Sequence, residues 1–163
     1  MRSTDVNPFA AQLIEAWRIN NRINLFLIDR IDDDGWRSTM SSRGGRDVAR
    51  QFAHLHDVRL SWLEISARDL GSGLKKFGAK ATVSKAAVTA ALEASGAAIE
   101  RLVERGVENG GVLKGFTRGV GPALAYLIAH DAHHRGSVLL TLKLSGHKVD
   151  TATQYGIWEW EKR

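Results

Sequence analysis

The residues of this 163-residue chain best suited to chemistry are its histidines, because cysteine is absent and with it every thiolate nucleophile and sulfur-ligated metal site. His130 and His134 stand about one helical turn apart on a stripe that reads Ala123, Leu127, His130, His134, Ser137, Thr141, Leu144. The stripe is apolar at both ends and polar in its middle, so the two imidazoles project one above the other from a face that points into the protein. Rings so placed can share one cation, and neutral imidazole suits zinc, nickel, copper and iron(II). The same spacing also arises by accident in a chain with six histidines, in which case each ring is hydrogen-bonded to its own polar neighbours.

A third ligand decides between these readings. His54 and His56 lie in an earlier helical stretch and point about 200° apart at about 100° per residue, so no more than one of them faces a given interior point. His54 shares its face with Val58, Ser61 and Ile65, a mostly apolar stripe interrupted by a polar group, and is the better candidate. His56 is expected nearer the outer side. His133, rotated about 100° from His134, is expected in solvent or at an interface, and His147, just past Gly146, in a loop. Asp57, Asp131 and Asn24 are candidates for orienting a ligand ring. The alternative for both aspartates is an ion pair with a surface arginine such as Arg59 or Arg135. Ser61, Ser137 and Thr141 either line a pocket or bond back to their helix. Gly136, inside a helix, implies that a neighbouring helix or a ligand approaches its backbone closely. Trp17, Phe26, Trp36 and Trp62 read as core or pocket wall.

Four long helical segments must position these groups. In the first, Asn7 is the expected cap and Pro8 the first helical residue, and Phe9, Leu13, Trp17 and Ile28 share a face until about Ile31, before the Asp-Gly run that ends it. A loop over residues 38–46 follows. The second segment starts with Asp47 as cap, carries Val48, Phe52, Leu55, Trp62 and Ser66 on its stripe, and closes near Leu70 ahead of Gly71 and Gly73. The third opens near Thr82 or Ser84, repeats Val88, Leu92, Ile99 and Leu102, and breaks over residues 106–111. The fourth begins after Gly121 with Pro122 in first position and ends at Gly146. No segment shows two-residue alternation. An all-α four-helix bundle, in one domain over residues 1–163, is the expected architecture. The terminal Tyr155 to Trp160 stretch is too short for a core helix, and its rings are expected to pack on the bundle rather than on a second subunit.

Charge narrows the function classes. The net charge is +5, split into +3 over residues 1–82 and +2 over residues 83–163, without a basic run to displace nucleic-acid counterions. Nucleic acid is therefore not an expected partner. No apolar stretch approaches the roughly 20 residues needed to cross a bilayer and no signal pattern opens the chain, so neither a membrane nor secretion is expected and the cytoplasm is the default address.

Taken together, Phe52-Ala53-His54-Leu55-His56-Asp57-Val58-Arg59-Leu60-Ser61-Trp62-Leu63 and His130-Asp131-Ala132-His133-His134-Arg135-Gly136 resemble the DinB family of bacterial four-helix proteins. That family's pattern is a histidine eight positions before Trp-Leu in the second helix, matched at His54 and Trp62, then a histidine pair spaced by three residues and followed by Arg-Gly in the fourth, matched at His130, His134, Arg135 and Gly136. The likeness extends to Asn20-Asn21-Arg22-Ile23-Asn24-Leu25, to Gly45-Arg46 and to the terminal Trp158-Glu159-Trp160, and so covers nearly the whole chain. It implies an up-down-down-up bundle with a divalent metal, zinc or nickel first, on His54, His130 and His134, and a homodimer. Members of known activity include transferases and isomerases that use low-molecular-weight thiols such as bacillithiol or mycothiol, and related metal-dependent hydrolases. The resemblance thus implies an enzyme that activates a thiol or a water against a small-molecule substrate. The alternative is a non-catalytic metal-binding protein of stress response or ligand sequestration.

Overall fold

In the computed structural model, which describes residues 8–40 and 45–163, helix α1 runs over Pro8–Asp29 and a short α2 over Asp33–Trp36. The long α3 occupies Val48–Ser66, α4 Lys85–Glu108 and α5 Val120–Leu144, and a short α6 occupies Thr151–Gly156. Single 3-10 turns sit at Arg68–Gly71 and Trp160–Lys162. Every regular element among the described residues is helical. The expected cap Asn7 and the middle of the 38–46 loop, residues 41–44, lie outside the described residues.

Short polar side chains set where the helices begin. Asp47, Ser84 and Asp150 sit in extended backbone and accept from the N–H groups of Arg50, Ala87 and Thr153, which starts α3, α4 and α6. The first segment stops at Asp29, short of Ile31, because Asp32 caps α2 by accepting from Gly35 N. The second stops at Ser66: Ala67, at φ −162° and ψ 72°, leaves helical backbone, and the 3-10 turn carries the chain to Gly71. The fourth begins earlier than Pro122. Gly119, at φ +93°, turns the chain into α5 at Val120, so Pro122 falls within the first turn, where its missing N–H has no intrahelical acceptor to satisfy.

Helices α1 and α3 each pack against α4 and α5 and touch one another little. Two apolar clusters fill the interior. One gathers Leu27, Ile28, Trp36, Phe52, Leu55, Leu92 and Leu142, the other Trp17, Leu63, Ile99, Leu102, Leu124 and Leu127. Between the two clusters each long helix buries polar residues: Asn20 and Asn24 on α1, Arg59 on α3, Ser95 on α4, Asp131 and Arg135 on α5. A polar layer therefore crosses the bundle, and it adjoins the histidines.

Of the terminal aromatic residues, Trp160 is half-buried, but Tyr155 and Trp158 do not pack back as expected. Tyr155 is 69% and Trp158 75% exposed. Gly156 and Arg163 take the place against the bundle instead: the Arg163 guanidinium lies 3.7 Å over the Phe26 ring, and a Cβ on Gly156 would meet that ring at 2.7 Å. No helix among the described residues is long and apolar enough to cross a membrane.

Candidate metal centre

Because α3 packs on α5, the polar side chain that interrupts one apolar stripe meets those of the other. His54 from α3 joins His130 and His134 from α5, with ring centroids 5.3 Å (His54 to His130), 4.9 Å (His54 to His134) and 4.7 Å (His130 to His134) apart. One ring nitrogen from each lies within 4.8 Å of the others. All three residues are half-buried. One flank is aromatic: Tyr126, a turn before His130, stacks near it at 6.4 Å, and Trp62 and Phe116, 4.1 Å apart, continue the wall. On the other flank, beside His134, a cavity of about 220 Å³ opens.

Electrostatics disfavours a proton on His134 and His54. Burial, with the neighbouring imidazoles and other cationic groups, pushes His134 down to about 4 from its ordinary 6.5. Burial also lowers His54, with Arg46 and His130 acting in the same sense and Asp57 opposing them. His134 Nδ1 is buried and has no hydrogen-bond partner among the described residues. Neutral imidazoles with unused lone pairs, converging within a ligand-to-ligand distance, fit a divalent cation, and so does the orphaned nitrogen. Among the described residues no carboxylate or fourth histidine joins the group. A four-coordinate cation held there would keep one position for another molecule.

Behind His130 lies the polar layer, and its hub is Asp131. The Asp131 carboxylate Oδ2 accepts from Asn20 Nδ2, Asn24 Nδ2 and Arg59 Nη2, each at 2.8 Å. Arg135 Nη1 donates to Asn20 Oδ1 at 2.9 Å and Asn24 Oδ1 at 2.7 Å, which fixes the orientation of both amides. Arg59 also donates to Asn21 Oδ1 and Leu92 O, and its guanidinium lies 4.7 Å over the Trp17 ring. Burial alone would raise the Asp131 pKa; the Arg59 charge and the hydrogen bonds reverse this and hold it well below the usual carboxylate range. The other oxygen, Oδ1, stands 3.8 Å from His130 Nδ1, an electrostatic contact rather than a hydrogen bond.

Several sequence expectations take a different form here. Asp131 does pair with Arg59, but Arg59 is 1% exposed and no surface residue. Among the described residues Asp57 neither orients a ring nor pairs with an arginine; it accepts from Phe77 N and Gly78 N and pins the loop before α4. Asn24 serves Asp131 and Arg135. His56 is buried, not outward, with its ring nitrogens 2.9 Å from Ala91 O and 3.1 Å from Lys75 O. His133 is exposed, and His147 lies in a loop beside Asp32 at 3.4 Å. Ser61 bonds back to Asp57 O, and Thr141 bonds back to Ser137 O while also lining the cavity with Ser137. Among the described residues nothing lies within 4 Å of a Cβ added to Gly136. Helical periodicity did not single out Asn20, which donates to Asp131, or Gln51 and Arg46, which line the cavity beside His134. The signal available was polar Asn20 and Asn24 on the apolar stripe of Trp17 and Leu27.

The sequence profile of the DinB family matches residues 1–162. No curated protein and no solved structure matches the chain.

Two outcomes follow from the buried charges. Asp131→Ala strands Arg59 and Arg135 without their counter-charge and should cost about 3–5 kcal/mol of stability, read from the urea midpoint, with Asp131→Asn sharing most of the loss; a change under about 1 kcal/mol contradicts this role. The pH effect has a definite sign: between 6.5 and about 4 the unfolded chain binds a proton that native His134 refuses, so the metal-free protein should lose stability as pH falls through that window. Thermal denaturation at stepped pH checks it, and a flat profile there would be contrary.

Proposed function

The chain belongs to the DinB family, and from that membership and the site's geometry we propose that it is a divalent-metal-dependent enzyme acting on a small molecule. Its reaction is of S-transferase type with a low-molecular-weight thiol, or of hydrolase type with water. The observation that carries this reading is the convergence of His54, His130 and His134, one nitrogen from each within 4.8 Å of the others.

In this reading the three imidazoles hold the cation, zinc or nickel first. A divalent cation there supplies Lewis acidity, which makes a thiol or a water a usable nucleophile near neutral pH. The chain's own residues do the rest. Asp131 keeps a negative charge 3.8 Å from His130 Nδ1, an electrostatic contact that favours the ring turned with this nitrogen towards the polar layer. Trp62, Phe116 and Tyr126 shield one flank from water, so that the substrate enters from the other. The reading includes one domain spanning the chain and an up-down-down-up course of the four long helices, supported by the apolar cluster that gathers Leu27 near the end of α1, Phe52 and Leu92 near the starts of α3 and α4, and Leu142 near the end of α5. It also includes a homodimer. Leu140, Leu144, Tyr155 and Trp158 are exposed along α5 and the terminal segment, beside a groove of about 710 Å³, an apolar surface that a second copy would cover.

Purified without a histidine tag, the protein should carry one divalent ion per chain by elemental analysis, and the His130→Ala, His134→Ala double variant should carry none. The metal-loaded protein, incubated with panels of thiols and electrophiles, should form conjugates or hydrolysis products that the double variant does not. Ligand binding without any turnover would assign the chain to the non-catalytic class, and unchanged metal content in the double variant would contradict the site itself. Light scattering should give twice the 17.9 kDa chain mass, and Trp158→Glu should shift it towards the monomer; a wild-type monomer contradicts the dimer.

A further inference from the structure

The cavity beside His134 holds two polar side chains that the three-histidine reading does not use. It is lined by Met40, Arg46, Gln51, Ser137 and Thr141 together with His134. Gln51 is 5% exposed, and its Oε1 is buried without a hydrogen-bond partner among the described residues. Leaving such an acceptor unmade costs about 1–3 kcal/mol, which a donor on a bound molecule would recover. Arg46 is exposed and makes no hydrogen bond or ion pair among the described residues, yet its charge reaches both His54 and His134.

With the Asp57 carboxylate that acts on His54 counted in, the neighbourhood still carries a net positive charge. The three imidazoles contribute no negative charge to offset a cation. The polar layer behind them holds two guanidinium groups, Arg59 and Arg135, against the single carboxylate of Asp131. Arg46 adds a further positive charge at the cavity. A cationic molecule is repelled from such a site and an anionic one drawn in. The planar fork of one guanidinium matches a carboxylate, and a cavity of about 220 Å³ suits a small head group.

We propose that the substrate or co-substrate of the three-histidine site carries a carboxylate and, next to it, an N–H donor, and that Arg46 binds the first and Gln51 Oε1 accepts from the second. The inference rests on the metal-site reading and names the chemical class that the site selects. Arg46 also disfavours a bare dication in its vicinity, so carboxylate and metal reinforce each other: each binds more tightly when the other is present.

Three small thiols separate the contributions. Metal-loaded protein is titrated calorimetrically with N-acetylcysteine, which has both groups, with N-acetylcysteamine, which lacks the carboxylate, and with 3-mercaptopropionate, which lacks the N–H. N-acetylcysteine should bind tightest, with N-acetylcysteamine weaker by about tenfold or more. Arg46→Ala should abolish that difference and Arg46→Lys restore part of it, while Gln51→Leu should abolish the preference over 3-mercaptopropionate. Metal content, measured in the same samples, should stay at one per chain in all these variants, and the metal affinity of the wild type should rise when N-acetylcysteine is present. Equal affinity for N-acetylcysteine and N-acetylcysteamine, no binding of either, or a carboxylate preference that survives Arg46→Ala overturns the proposal. If metal is bound at one per chain in those cases, the proposal fails alone; if no metal is bound, the three-histidine reading fails with it.

Discussion

The ion pair between Asp131 and Arg59, 2.8 Å long with both side chains at most 2% exposed, is the constraint on which the site depends. Two charges removed from water cost several kcal/mol each unless further hydrogen bonds complete their shells. Asn20 and Asn24 supply them on one side, Asn21, Leu92 O and the Trp17 face on the other. The network ties α1, α3, α4 and α5 in a single register. Asp131 directly follows His130, and Arg59 lies on the helix of His54 little more than one turn later. A slip of α3 against α5 would break the ion pair and separate the imidazoles together. The histidines meet because a polar layer one step deeper permits only one alignment.

The apolar clusters on either side of that layer supply most of the burial that holds the helices together. Apolar groups of similar volume in place of the charged ones would hold them at least as well, so the polar layer contributes register more than stability. It also leaves the interior with more guanidinium than carboxylate. That excess sits next to three imidazoles that must stay neutral to act as ligands, and burial together with nearby positive charge keeps His134 deprotonated well below neutral pH. The fold prepares the donors and biases the field in the same stroke.

Much of this was legible in the residues. Four helical segments, their Asp47 and Ser84 caps and the shared face of His130 and His134 follow from local chemistry: short polar caps, helical periodicity, breakers between. His54 followed from the polar interruption of an apolar stripe. His56 did not, because helical angles relate residues on one helix only. The chain after Gly71, pinned by Asp57, folds back and covers what a lone amphipathic helix would expose, so that Lys75 O and Ala91 O meet the His56 ring. Arg59 and Arg135 were misplaced for a related reason. A charged side chain on a helix is solvated by default, and only the meeting of Asn20 and Asn24 with Asp131, more than a hundred residues away in the chain, makes its burial tolerable. The exposed Tyr155 and Trp158 depart from local reasoning in the opposite direction, since Gly156 and Arg163 already occupy the surface of Phe26.

The central claim is that imidazoles from α3 and α5 share one cation with room left for an incoming molecule, and X-ray absorption spectroscopy of the metal-loaded protein reads it directly. The account predicts three imidazole nitrogens at about 2.0–2.1 Å for zinc, with multiple-scattering features from the rings, and one light-atom ligand that is replaced by sulfur when a thiol is added. A shell with fewer than three imidazoles, or one closed by protein donors and unchanged by any added ligand, would contradict it.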